Sequence, residues 1–127
     1  MPNVFISHRS ADATLAEQLA LEIRDAGHKV WLDTWEISIG DELAEKMNEG
    51  LEGAAYVVVC YSSHGLAPWM GKEVWATVAR QLSGMGVRLL PVRLSGGLPP
   101  ALLAGTKYAD LVSDWRRGVA ELLRAIR

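Results

Sequence analysis

Glu73 stands four residues after Trp69, in a segment that opens with Pro68, a residue suited to the first turn of a helix. Side chains four apart share one helical face. The apolar stripe of the same helix falls on Val74, Val78 and Leu82, so Trp69 and Glu73 flank the core side by side. An acid so placed can stabilise nearby positive charge, and an indole can stack on a planar ligand. The plainer readings are a solvated glutamate and a packing tryptophan. Other polar groups follow apolar runs: Ser7-His8-Arg9-Ser10 after Val4-Phe5-Ile6, Asp33 after Val30-Trp31-Leu32, and Ser62-Ser63 after Ala54 to Tyr61. Ser7 and Ser62 can donate hydrogen bonds to a ligand or cap the neighbouring helices. Arg9 can meet a pyrophosphate or remain in solvent. Asp33 is suited to order its own loop. His8, His28 and His64 lack the spacing of metal ligands, and the lone Cys60 lies in an apolar run. Neither a disulfide framework nor a cysteine-based zinc site is available, and no metal is expected.

What gives these groups a common address is the order of elements. After the first short strand, Leu15, Leu19 and Ile23 recur every four residues, which predicts a helix from about Ala11 to Ala26, ended by Gly27. His28 to Asp33 reads as a strand with Val30 and Leu32 on one face and Trp31 on the other. Thr34 to Gly40 reads as a loop. A helix follows from about Asp41, with Leu43, Met47 and Leu51 in register and Gly50 and Gly53 at its end. The run AAYVVVCY does not alternate, the mark of a central parallel strand covered on both faces. A third helix from Pro68 to about Leu82, a strand from Val87 to Leu94, a turn at Gly96 to Pro100, a short edge strand at Lys107 to Leu111 and a last helix with Trp115, Val119, Leu122, Leu123 and Ile126 on one stripe complete the pattern. Five β–α units predict a flavodoxin-like α/β fold: three layers around a five-stranded parallel sheet of order 2-1-3-4-5. In such a sheet ligands bind at the carboxyl ends of the strands. Here those ends are Ser7 to Ser10, Asp33 to Gly40 and Ser62 to Trp69.

The 127 residues amount to a single domain spanning 1–127. Thirteen basic and fifteen acidic side chains leave a net charge of −2, which gives no electrostatic case for nucleic acid or an anionic membrane as partner. No apolar run approaches the ~20 residues needed to span a bilayer. With one buried-looking cysteine and no signal-peptide pattern, a cytoplasmic setting is expected.

Several tenants of this fold are excluded. The first loop has no glycine, so a Rossmann dinucleotide fingerprint is absent, as is a P-loop. The third strand ends in Cys60-Tyr61-Ser62-Ser63, without the carboxylate a phosphoacceptor receiver needs. For a flavin phosphate loop, Ser7 and Ser10 alone are weak support. The boxes that remain resemble the TIR (Toll/interleukin-1 receptor) domain. Val4-Phe5-Ile6-Ser7-His8 is similar to the family's opening strand, with His8 where an aromatic hydroxyl is common. Val30-Trp31-Leu32-Asp33 and the loop to Gly40-Asp41 resemble its second strand and the long loop behind it. Trp69-Met70-Gly71-Lys72-Glu73 resembles a Trp-x-x-x-Glu segment, and Leu89-Leu90-Pro91-Val92 the fourth-strand box.

The resemblance implies an NAD glycohydrolase of the bacterial kind, cutting the nicotinamide–ribose bond to give ADP-ribose or a cyclic variant in anti-phage signalling. Glu73 is then the catalytic residue, and Ser7, His8, Arg9, Asp33, Trp35, Ser62 and Trp69 form the substrate site. NAD is the substrate, and no cofactor is expected. Nicotinamide departs neutral from a pyridinium, so one carboxylate near the ribose suffices and no general acid is required. Trp35, Ile37 and Ile39 alternate through the long loop and either fold back onto the domain or form a self-association surface. Similar TIR enzymes act as filament-like assemblies of copies meeting at this loop. A sensor would then be fused beyond Arg127 or be a separate chain. The chief alternative is a non-enzymatic TIR–TIR adaptor module. A nucleoside deoxyribosyltransferase-like enzyme stands behind both.

Overall fold

The computed structural model describes residues 3–63, 84, 86–97 and 105–126, of Ala44 the backbone only. Glu73, Trp69 and the helix expected from Pro68 to Leu82 lie outside the described residues. Strands β1 (Asn3–Ser7), β2 (Lys29–Trp31), β3 (Tyr56–Tyr61), β4 (Arg88–Arg93) and β5 (Ala109–Asp110) form one sheet of order β2-β1-β3-β4-β5. Every pairing in it is parallel. The non-alternating apolar run becomes β3, hydrogen-bonded on both sides and buried from Val57 to Tyr61.

Helices cover the sheet on two sides because the strand residues alternate between two cores. Val4, Ile6, Leu32, Val58, Cys60 and Val92 face one layer, built by Leu19 and Ile23 of α1 (Ala13–Asp25) and Val119 and Leu122 of the last helix, α4 (Trp115–Ala125). Phe5, Val57, Val59 and Tyr61 face the other, where Met47 and Leu51 of α3 (Leu43–Glu52) pack. The expected division of β2, with Val30 and Leu32 on one face and Trp31 on the other, is what these two cores contain.

Two local departures matter for the site. The expected loop after β2 begins as a helical turn, α2 (Asp33–Glu36), in which the Leu32 carbonyl accepts from the Trp35 and Glu36 amides. That turn is too short to show a period, and it is held by burial of Trp35 against the α1-side core. Gly50 does not end α3, which continues to Glu52 with Gly53 as its cap. A Cβ on Gly50 would stand 2.7 Å from Trp31 ring atoms, so the glycine lets the helix lie directly on the indole.

Candidate functional site at the strand ends

The sheet order reverses between β1 and β3, and the polar residues that end these strands are drawn together there. On the β2 side a recess of about 150 Å3 is lined by Ser7, His8, Ser10, Asp33 and Ile37 over an apolar floor that includes Phe5, Trp31 and Met47. Ser7 and His8 are buried at the end of β1, and Arg9 beyond them is half-buried. The His8 ring is fixed at both nitrogens: Nδ1 lies 2.7 Å from the Arg9 carbonyl and Nε2 2.9 Å from Asp33 Oδ1. Asp33 Oδ1 also accepts from the Thr34 amide at 2.8 Å, so Asp33 orders its own turn as its position implied.

Burial works against a charged His8. The Asp33 hydrogen bond, the Arg9 carbonyl and the charges of Asp33 and Asp12 outweigh it, and its pKa lies above the ordinary histidine value. The His8 hydrogen bond draws the Asp33 pKa below the usual carboxylate range, against partial burial and with help from the His8 charge and the local amides.

On the β3 side Ser62, also buried, donates to Asp12 Oδ2 at 2.6 Å, and Ser95 beyond β4 donates to Asp12 Oδ1 at 3.4 Å. Asp12 thus gathers the ends of β3 and β4 beneath the first turn of α1. Nothing in the sequence separates it from an ordinary acid at a helix start. Gly97, at φ +77°, passes so close to Ser62 that a Cβ there would stand 2.6 Å from the Ser62 carbonyl oxygen.

The structure therefore brings Ser7, His8 and Asp33 together at the recess, whereas Arg9 and Ser62 stand at the same strand ends without lining it, the Ser62 hydroxyl being bonded to Asp12. Trp35 is placed elsewhere: its half-buried ring packs on the α1-side core, the Arg24 guanidinium 5.4 Å from its centroid, and it does not line the recess. Ile37 does line the recess, and Ile39 is fully exposed. Among the described residues no three His, Cys, Asp or Glu side chains gather as a metal site requires, and no helix is long and apolar enough to cross a membrane.

The fold and its strand-end crevice define a doubly wound α/β domain of the flavodoxin-like class. Within that class the chain belongs to the TIR domain family, whose model matches residues 4–123. It is 39% identical over 90 residues to the 2′ cyclic ADP-D-ribose synthase BtTIR of Bacteroides thetaiotaomicron, covering 69% of this chain and 31% of that protein. It is 34% identical over 92 residues to the NAD(+) hydrolase PdTIR of Paracoccus denitrificans, covering 71% of this chain and 30% of that protein. The chain thus spans about a third of the length of these relatives. In fold it matches the TIR domains of the activated Roq1 resistosome, with a TM-score of 0.73 and 14% identity over the whole of both chains.

Proposed function

We propose that this domain cleaves NAD at the nicotinamide–ribose bond, releasing nicotinamide and ADP-ribose or a cyclic variant. The observation that carries the reading is the polar crevice at the switch point of a TIR domain whose relatives are named for making a cyclic ADP-ribose and for hydrolysing NAD. Glu73 is the catalytic residue in this reading. As nicotinamide leaves, the ribose takes on oxocarbenium-like charge, and a carboxylate beside it lowers the barrier without donating a proton. Ser7 and Ser62 supply polar contacts at the strand ends, Arg9 meets the pyrophosphate, and Trp69 stacks on a ring of the substrate. NAD is the only small molecule needed, with no metal or further cofactor.

The setting proposed is the cytoplasm, in a defence-signalling protein whose activity rises on assembly with other copies. Ile39, fully exposed beside Ile37, supports a contact at this loop, and the assembled Roq1 TIR domains share the fold. The same exposed side chain also suits a purely adaptor role. Incubating concentrated protein with NAD and measuring free nicotinamide separates the two. Release that depends on Glu73 supports the enzyme, and none from assembled protein leaves the adaptor.

A further inference from the structure

We propose that His8 stands as a doubly protonated imidazolium and acts as a positioning residue, tying the end of β1 to the turn after β2 and so fixing the wall of the substrate recess. Both of its ring nitrogens face acceptors, the Arg9 carbonyl at 2.7 Å and the Asp33 carboxylate at 2.9 Å. A neutral imidazole has one N–H and one lone pair. In either tautomer one contact would set a nitrogen lone pair against an oxygen lone pair, whereas the imidazolium donates to both. The side chain is 2% exposed, so water cannot take up the unmatched contact.

The tie reaches further than the ring. Asp33 accepts from the Thr34 amide through its side chain and from the Ile37 amide through its carbonyl, and Ile37 lines the recess. Holding Asp33 therefore holds α2 and the start of the loop behind it. Among the described residues the charges acting on His8 are the carboxylates of Asp33, from the turn after β2, and Asp12, from the turn before α1. His8 uses both N–H groups on the protein and has none left for substrate, and the tie acts on NAD only through the shape of the recess.

This inference rests on the proposed NAD cleavage for its catalytic arm alone. The test is a pH titration of the histidine ring nitrogens and backbone amides of the 15N-labelled protein by NMR, for wild type and Asp33→Asn. We expect both His8 nitrogens protonated at neutral pH, a midpoint above the ordinary 6.5, and a lower midpoint in Asp33→Asn. The Thr34 and Ile37 amides should follow the wild-type His8 midpoint. A midpoint at or below 6.5, one unmoved by Asp33→Asn, or Thr34 and Ile37 amides indifferent to it would overturn the proposal. In NAD turnover the KM should rise with pH through that midpoint while kcat holds. The Asp33→Asn enzyme should have a raised KM across the range. A KM that varies identically in both proteins also overturns it. Absence of nicotinamide release would remove the NAD reading and leave the ring and amide titrations to decide the tie.

Discussion

Replacing Gly50 by alanine sets two opposed effects against each other in one helix. In an open helix interior the change would stabilise by about 1 kcal/mol, because alanine restricts the unfolded chain and favours the helix. At Gly50 the new methyl would lie 2.7 Å from Cδ2 and Cε2 and 2.8 Å from Nε1 of Trp31. The indole has little room to retreat, since it is stacked on Phe5 with centroids 4.5 Å apart and planes 10° from parallel, and Phe5 is buried. Overpacking against a pinned ring costs on the order of 2–3 kcal/mol. The net expectation is a loss of about 1–2 kcal/mol, or roughly 4 °C in melting temperature for each kcal/mol in a chain of this size. Gly53, the cap of the same helix, is the internal control. Its added Cβ would lie 3.5 Å from Asn3 Nδ2, an ordinary contact, so Gly53→Ala should be neutral or stabilise by up to about 1 kcal/mol. Urea and thermal unfolding of the two variants measure both signs. If Gly50→Ala melts at or above wild type, the helix does not rest on the indole, and the packing beneath the recess is wrong.

Glu73→Gln should lower nicotinamide release about 10²-fold or more with an unchanged circular dichroism spectrum, and near-normal turnover would remove Glu73 from the mechanism. Specific activity should climb with protein concentration. Ile39→Asp should flatten that climb at an unchanged melting temperature, whereas Trp35→Asp should lower the melting temperature because the ring packs on the core. Activity per molecule that is already flat in wild type refutes activation by assembly. The stability that His8 and Asp33 lend each other should also depend on pH. The raised histidine contributes fully below about 6.5 and loses its share as pH rises through its folded value; the lowered aspartate contributes above about 3.9 and loses its share as pH falls through its own. The gap in urea midpoint between wild type and Asp33→Asn should thus be widest between about pH 4 and 6.5. A gap that does not change with pH contradicts the pairing.

Long-range order was legible where one physical demand repeats along the chain. Leu19 and Ile23 had to face a core, and AAYVVVCY had to be covered twice, so the sheet order followed from the alternation of elements. Ser7, His8, Asp33 and Ser62 were legible as strand-end residues, because topology alone sets the strand ends side by side. Their pairing was not: His8 and Asp33 are 25 residues apart, and no local pattern records a bond across that gap. Asp12 looks like any first-turn acid, and its burial beneath Ser62 and Ser95 arises only when β3 and β4 arrive. Gly50 reads as a helix terminator because a glycine that stops a helix and one that admits a neighbouring ring are the same letter. Trp35 sits in a stretch too short for periodicity, so its inward turn depends on α1 being there to receive it.

The anchoring of Trp35 beneath Arg24 has a consequence for association. The segment that follows it is tied down again at Ser38, whose amide donates to Asp41 Oδ2 at 2.9 Å and whose carbonyl accepts from the Asp41 amide at 3.0 Å. Ordering a free backbone on docking costs about 1–2 kcal/mol for each residue frozen. Here folding has already met part of that cost, because the Ser38–Asp41 turn closes around exposed Ile39. In the assembly proposed above, that order would lower the backbone part of the cost of docking on Ile39, while the rigid-body and side-chain parts would still have to be met by the rest of the contact.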